Sequence, residues 1–533
     1  MSLQLDGTSL SLRELAEVAR SRRLVALAPG AWDELKRSRA WVEAAVEGRV
    51  LDPDGQPSAI YGVNTGYGSL ARKRIPQESL DELSRNLIRS HAAGVGRPLP
   101  VDVARATVLL RANALSRGRS GCRPELVQLL LELLNRGVDP WLPSQGSCGS
   151  SGDLAPLSHL GLILGHRPSD PPEETGRAWV QGELMSGCDA LAKVGLVPLQ
   201  LGPKEGLALN NGAQVTTAIA ALAVIDAVRL VQVAEIAAAL SIEALRGVTR
   251  AFHPAVHELR PYPGAIACAD NLRRLLTGSE LVDTVPGKVQ DAYALRCTPQ
   301  VLGSVRDTLR FVRQQVAIEL NAVTDNPVIL VDAPGHDKAF SAGLFHGEPV
   351  GMAADFLKIA VCELASLAER RLYRLTTGAL SVHLPASLKG LGPGVGLLAL
   401  QTSAAALVSE NKALAWPASV DSIPTCEDQE DHVAMSTTAA RRAAEVLQNA
   451  QRVVAIELLC AHTALSHRLR AEPGLNLGEG TYPAWLCIGE TLGDVDGATP
   501  SELVQRMEPL VTGPALEDAV EGAVGGLSRG IAT

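Results

Sequence analysis

The chain has 533 residues, of which 46% are apolar but only 3% aromatic, and it carries a net charge of −9. That length predicts two or three domains or one large helical body, and a core built from Ala, Leu and Val favours helices over sheets. The acidic balance, with its charges interleaved, excludes the basic stripe that a nucleic-acid partner requires.

The opening MSLQLDGTSLSLRELAEVAR has no charged leader ahead of an apolar block, so no signal peptide is expected. Residues 1 to about 200 alternate short helical patterns with Gly- and Pro-bearing loops such as PGAW, YGVNTGYG, GVGRPLP and LPSQGSCGSSGD. This reads as a smaller, mixed, loop-rich N-terminal domain. From Lys204 the texture changes, and 213–247, 351–375 and 429–462 are long apolar-periodic segments with few breakers. Segments of about 30 helical residues form rods about 45 Å long, which hide their apolar stripes by packing side by side. The expected class is therefore mainly α: a long-helix bundle domain over 201–533, with a small peripheral helical layer from about residue 475. The longest apolar run, 216–240, is cut by Asp226, Arg229 and Glu235, so it predicts a buried helix and no membrane span. Nine cysteines are scattered from Cys122 to Cys487 without a C-x-x-C. They read as reduced thiols of a cytoplasmic protein, with no zinc or redox site.

The stretch GSCGSSGDLAPLSHLGLILG carries the chemistry. Asp153 suits a helix N-cap and Pro156 its first turn, with an apolar helix running on to about Leu164. Ser150, Ser151 and Gly152 then lie directly before a helix N-terminus, in a loop opened by Gly149. One reading is a plain Ser/Gly turn with an Asp cap. The other is a backbone reaction in which the nitrogen of Gly152 attacks the carbonyl of Ser150. Loss of two waters leaves a five-membered ring whose exocyclic methylidene comes from Ser151. Glycine lets its nitrogen approach without a side chain in the way, and the positive end of the helix dipole stabilises negative charge near the ring. The product is an electrophile that no ordinary side chain provides.

GSSGDLAPLSH resembles the G-A-S-G-D-L-A-P-L-x-H signature of the histidine and aromatic amino acid ammonia-lyases and aminomutases. Those enzymes carry this ring, 4-methylidene-imidazol-5-one (MIO). From about Tyr61 to Cys460 further blocks follow in the family's order: IYGVNTGYG, NLIRSHAAGVG, KEGLALNNGA, VQDAYALRC, ELNAVTDNP, FHGEPV and CEDQEDHVAM. The resemblance implies an autocatalytic MIO with Ser150 cross-linked to Gly152 and Ser151 as the modified residue, without metal or nucleotide. It also implies a small amino acid substrate and a homotetramer of long helices in which each active site draws on three subunits.

Individual positions carry both a plain and a functional reading. Tyr61 lies in a glycine-flanked loop that composition alone makes a flexible surface segment; the resemblance makes it the base that removes the substrate β-proton from a closing lid. A phenolate near neutral pH requires a cationic or dipolar neighbourhood. The same glycines suggest a phosphate loop, but no helix start or Lys follows at the right place. Arg296, otherwise a surface cation, matches the residue that pairs with the substrate carboxylate, for which a planar guanidinium is suited. Tyr293 and Asn211 match residues beside the ring, Tyr293 with a catalytic role; Gln290 and Phe345 match pocket neighbours, and Phe345 is equally readable as core. His91, after Ser90, falls in the family's selectivity position. Glu430 matches a carboxylate of histidine lyases, where phenylalanine and tyrosine enzymes carry Gln; the plain alternative is a solvated run of Glu427, Asp428, Glu430 and Asp431.

Some positions depart from the family. Ser150 replaces the usual Ala, Leu344 stands where Asn is usual, Asn210 replaces an apolar residue, and Gly394-Val395-Gly396 replaces Asn-Ser-Gly. The expected reaction is non-oxidative deamination of L-histidine to trans-urocanate and ammonia. The alternatives are a tyrosine or phenylalanine lyase or 2,3-aminomutase on the same scaffold, and a non-catalytic helical scaffold.

Overall fold

The structure is a computed structural model that describes residues 2–68, 71, 73–335, 337–389 and 396–528. It is mainly α, as expected, with nineteen α-helices among the described residues. The strands are four residues or shorter and form small two- and three-stranded sheets. The residues group into two compact units, neither of them one continuous stretch. The first takes Met1–Leu222, Gln314–Asp355 and Pro417–Arg441; the second takes Ala223–Arg313, Phe356–Trp416 and Arg442–Thr533. This grouping differs from a single cut near residue 200. The helices Gln214–Ala244, Thr298–Glu319, Glu348–Thr376 and Ser436–Ala471 each contribute residues to both units.

In the first unit, the helix Leu12–Ser21 opens with a capping box: the Ser11 hydroxyl accepts from the Glu14 amide while the Glu14 carboxylate accepts from the Ser11 amide. It connects two parallel strands, Leu3–Leu5 and Val25–Leu27. The helix Val101–Ser116 is buried on every face from Val103 onward, because Ala, Val and Leu occupy all its sides. Its arginines must therefore find partners inside. Arg105 donates to Asp139 at 2.9 Å and to the Val18 carbonyl at 3.0 Å. Arg111 donates to the Asn211 carbonyl at 2.6 Å and to Gln214 Oε1 at 3.0 Å, which pins the turn ahead of the helix Gln214–Ala244.

Of the three long segments, two appear near their expected bounds, as Gln214–Ala244 and Glu348–Thr376. The third begins at Ser436, later than 429, and continues to Ala471. Residues before it fold back on themselves: Cys426, Glu427 and Asp428 all have left-handed φ, and Thr425 bridges to Glu430. The helix Thr298–Glu319 is long as well, but Arg306, Asp307, Arg310 and Arg313 break its apolar run and mask it in the sequence. Gln214–Ala244 is the one helix among the described residues long and apolar enough to cross a membrane; 78% of its most apolar window is buried within the chain. All nine cysteines are free thiols.

In the second unit, charges on the long helices are buried in pairs. Glu235 accepts from Arg306 at 2.6 and 2.7 Å and from Asn271 at 2.7 Å. Glu457 accepts from Arg371 at 2.5 and 2.8 Å and from Ser241 at 2.8 Å, so this one carboxylate ties three helices together. The C-terminal helices Thr481–Leu492, Pro500–Thr512 and Ala515–Val524 pack on one another.

Arg371 and Glu457 are both fully buried, so removing one partner strands the other charge. Arg371→Met should cost about 3–5 kcal/mol in urea denaturation, and adding Glu457→Leu should recover most of the loss. A wild-type midpoint for Arg371→Met would show that the pair contributes nothing.

Candidate active site

The segment 147–153 is held by close backbone packing. Gly152 has φ +76°, and a Cβ there would lie 2.3–2.5 Å from the backbone of Gly212. Only glycine fits, and the two residues form a parallel bridge in which the Asp153 amide donates to the Gly212 carbonyl at 2.7 Å. Gly149 is similarly enclosed: a Cβ would meet Ser436 Oγ at 2.0 Å, and its carbonyl accepts from the Gly347 amide at 3.0 Å.

Asp153 occupies the N-cap position of the helix Leu154–Gly165, but its side chain does not cap that helix. It is fully buried and serves another element. Oδ2 accepts from the Thr216 amide at 2.8 Å, in the first turn of Gln214–Ala244. Oδ1 accepts from Ser147, Thr216 and Thr437 hydroxyls at 2.8, 2.9 and 2.6 Å. The expected local cap is thus a long-range clamp, because a buried carboxylate must fill its lone pairs wherever donors exist.

The Ser150 and Ser151 hydroxyls both point at Glu430. Ser151 Oγ donates to Oε1 at 2.6 Å; Ser150 Oγ and Thr425 Oγ1 donate to Oε2 at 3.0 and 2.5 Å. Glu427, Asp428 and Asp431 are exposed while Glu430 is half-buried, which separates it from a solvated charge run. Burial pushes its carboxyl up, but hydrogen bonds from Ser151, Thr425 and Ser150, with His91 nearby, outweigh that and hold it below the usual range.

Around this centre lie most of the residues marked in the sequence. His91 Nδ1 is 2.9 Å from the Leu87 carbonyl, which only accepts; Nδ1 therefore carries the proton. Asn211 Nδ2 donates to Asp325 Oδ1 and to the Asn326 carbonyl, both at 3.2 Å, while its buried Oδ1 has no donor. Asp325 is held in turn by Lys204 at 2.6 Å, both fully buried. The departure Asn210 is fully buried and donates to Ser158 at 3.1 Å. Phe345 is half-buried, two residues from Gly347 and its bond to Gly149, and Leu344 is exposed.

Tyr61 is half-buried beside Tyr67, edge-on at 6.4 Å between centroids. The cationic neighbourhood expected for it is not supplied by the described residues. Burial raises the phenol, the Gly68 amide lowers it by donating to Oη at 3.3 Å, and Cys426 and Glu430 raise it again. Gln290, Tyr293 and Arg296 belong to the second unit. Gln290 is exposed, Tyr293 is 70% exposed, and the Arg296 guanidinium stands 4.9 Å from the centre of the Tyr293 ring. Gly394 and Val395 lie outside the described residues. Among the described residues no cluster of three His, Cys, Asp or Glu side chains is placed to hold a metal.

Sequence reasoning missed Arg111, Thr216, Thr425 and Thr437. The Arg inside the apolar run LLRANAL was the one available signal. The three threonines look like any others, since their importance lies in which carboxylate they meet.

Comparison with known proteins agrees with this geometry. The family model described as aromatic amino acid lyase matches residues 10–484. A histidine ammonia-lyase of Gloeobacter violaceus is 45% identical over 529 residues, covering 98% of each chain. The crystal structure of histidine ammonia-lyase from Trypanosoma cruzi is 36% identical with a TM-score of 0.87, covering 99% of this chain and 97% of that one. Tyrosine aminomutase from Streptomyces globisporus is 33% identical with the same TM-score of 0.87, covering 98% of this chain and 99% of the other. With a model match and relatives that span nearly its whole length, the chain belongs to the aromatic amino acid lyase family of carbon–nitrogen lyases.

Proposed function

We propose that this enzyme eliminates ammonia from L-histidine to give trans-urocanate, using an MIO ring made from Ser150, Ser151 and Gly152. The observation that carries the substrate reading is the Glu430 carboxylate, half-buried, held in its charged form and hydrogen-bonded at 2.6 Å to the Ser151 hydroxyl. Support for the ring comes from the backbone. Residue 152 has no room for a Cβ, and Asp153, clamped by four donors, prevents the segment from relaxing away. In ring formation Gly152 N bonds to the carbonyl carbon of Ser150, whose oxygen leaves as water with the amide hydrogens of Gly152 and Ser151. Ser151 then loses its hydroxyl and α-hydrogen as the second water.

The finished ring supplies an electrophilic carbon that makes the substrate amine a better leaving group. The side chains do the remainder. A protonated imidazole offers two N–H donors: Glu430 accepts one, and His91 accepts the other at Nε2, since its own proton sits on Nδ1. A charged imidazole renders the substrate β-hydrogens more acidic, and Tyr61 removes one. Arg296 takes the substrate carboxylate, and Tyr293, Asn211, Gln290 and Phe345 line the pocket. A phenyl ring leaves Glu430 Oε1 and His91 Nε2 without partners, at about 1–3 kcal/mol each.

We infer also that four copies assemble and that the segment 290–296 of one completes the site of another. Two observations support this: Val289 and Tyr293 are 89% and 70% exposed, and none of the described residues supplies Tyr61 with the positive neighbour its phenolate requires.

Intact-mass measurement should find the wild-type chain and Tyr61→Phe lighter by two waters and Ser151→Ala not. Turnover of Tyr61→Phe should fall roughly 10²–10⁴-fold. A full-mass active chain would end the ring proposal, and near-normal turnover in Tyr61→Phe would remove its role as base. In an ultraviolet assay with chromatography of products, histidine should be preferred over tyrosine and phenylalanine. Glu430→Gln should reduce histidine turnover about tenfold to a hundredfold and affect the others little. Preference for tyrosine, or a β-amino acid product, would replace the histidine reading with a tyrosine enzyme or an aminomutase. For assembly, Tyr61→Phe and Arg296→Met subunits refolded together should regain part of the activity that neither has alone. A fully active monomer in light scattering would refute shared sites.

A further inference from the structure

We propose that the Ser150 hydroxyl is a positioning residue for Glu430, fixing one carboxylate oxygen so that the other faces the substrate imidazole. This rests on the ring and on the histidine reading above. The two oxygens of Glu430 have different partners. Oε2 accepts from Ser150 at 3.0 Å and Thr425 at 2.5 Å; Oε1 accepts from Ser151 at 2.6 Å. Ser151 Oγ is the oxygen that departs as water when the methylidene forms, so Oε1 alone loses its donor. A half-buried carboxylate oxygen stripped of its donor is an acceptor waiting for an N–H. Oε2 keeps both its hydroxyls, because Ser150 contributes only its backbone to the ring and its side chain remains outside. Maturation therefore converts a carboxylate shared by two serines into one clamped at Oε2 and open at Oε1.

The charged and titratable groups facing Glu430 leave this arrangement intact. His91 faces Glu430 with its Nδ1 proton turned to the Leu87 carbonyl, while burial together with Glu430 itself raises Tyr61, Cys148 and Cys426. An alanine at position 150 would leave Thr425 as the only described side-chain donor to Oε2, and the carboxylate free to turn. The hydroxyl thus acts on substrate binding through Glu430.

The test compares wild type, Ser150→Ala and Ser150→Thr as the full protein. All three should show the two-water mass deficit. With one donor removed, the Glu430 carboxyl titrates higher, so it protonates sooner as pH falls. The acid limb of kcat/KM for histidine should therefore move up by roughly half to one pH unit in Ser150→Ala and return in Ser150→Thr. The substrate's own imidazole titration is common to all three and cancels in the comparison. KM should rise more than kcat falls. An unmoved acid limb and unchanged KM in a cyclised Ser150→Ala would overturn the inference and leave the ring standing. Failure of Ser150→Ala to cyclise would also overturn it, by assigning the hydroxyl to ring formation. A wild-type chain without the mass deficit would instead remove the ring, and this inference with it.

Discussion

The backbone of residue 152 runs so close to that of residue 212 that a single added carbon would overlap it, at 2.3 Å from the Gly212 carbonyl carbon. The proposed ring closure depends on that approach being maintained. It is maintained by Asp153, which is covalently next to Gly152 and bonded to the first turn of the helix that follows Gly212. Pulling the two backbones apart would break these bonds together, leaving a fully buried carboxylate and a buried amide unsatisfied. The contact is therefore far stiffer than a surface turn of the same composition, and a stiff, compressed turn is what a reaction between neighbouring peptide groups requires.

A second layer of buried polar groups holds the Gly212 side of the contact. Arg111 grips the Asn211 carbonyl, Asn211 reaches Asp325, and Asp325 is neutralised by Lys204. Burial lowers the pKa of Arg111, with Asp325 acting against it, so this cation is retained at a cost that a merely structural helix avoids. The result is a rigid support, made of side chains from three separated parts of the sequence, under a site whose own residues are mostly small.

Glu430 is the electrostatic counterpart of that support. Its carboxylate is the acceptor for both serines of the motif, and the same hydrogen bonds that orient it keep it charged despite its burial. The charge raises the phenol of Tyr61, so it opposes the role of base proposed for that residue.

The helical class, the long rods and the Ser150–Gly152 motif were legible in the sequence, because periodicity and glycine placement are local properties of the chain. Glu430 was legible only through family resemblance, since its crowd of acidic neighbours gives it no local mark. Folding alone decided that Asp153 clamps Thr216 and Thr437, the latter 284 residues away, in place of capping its own helix. Folding also decided that residues 426–428 turn left-handed and delay the last long helix to Ser436, where apolar content had suggested an earlier start. The same holds for the surroundings of Tyr61, whose neighbours arrive from the segment carrying Cys426 and Glu430. A sequence states which faces are apolar and where the backbone can bend; which distant donor meets a given carboxylate depends on how those faces pack, and that information exists only once the chain is folded.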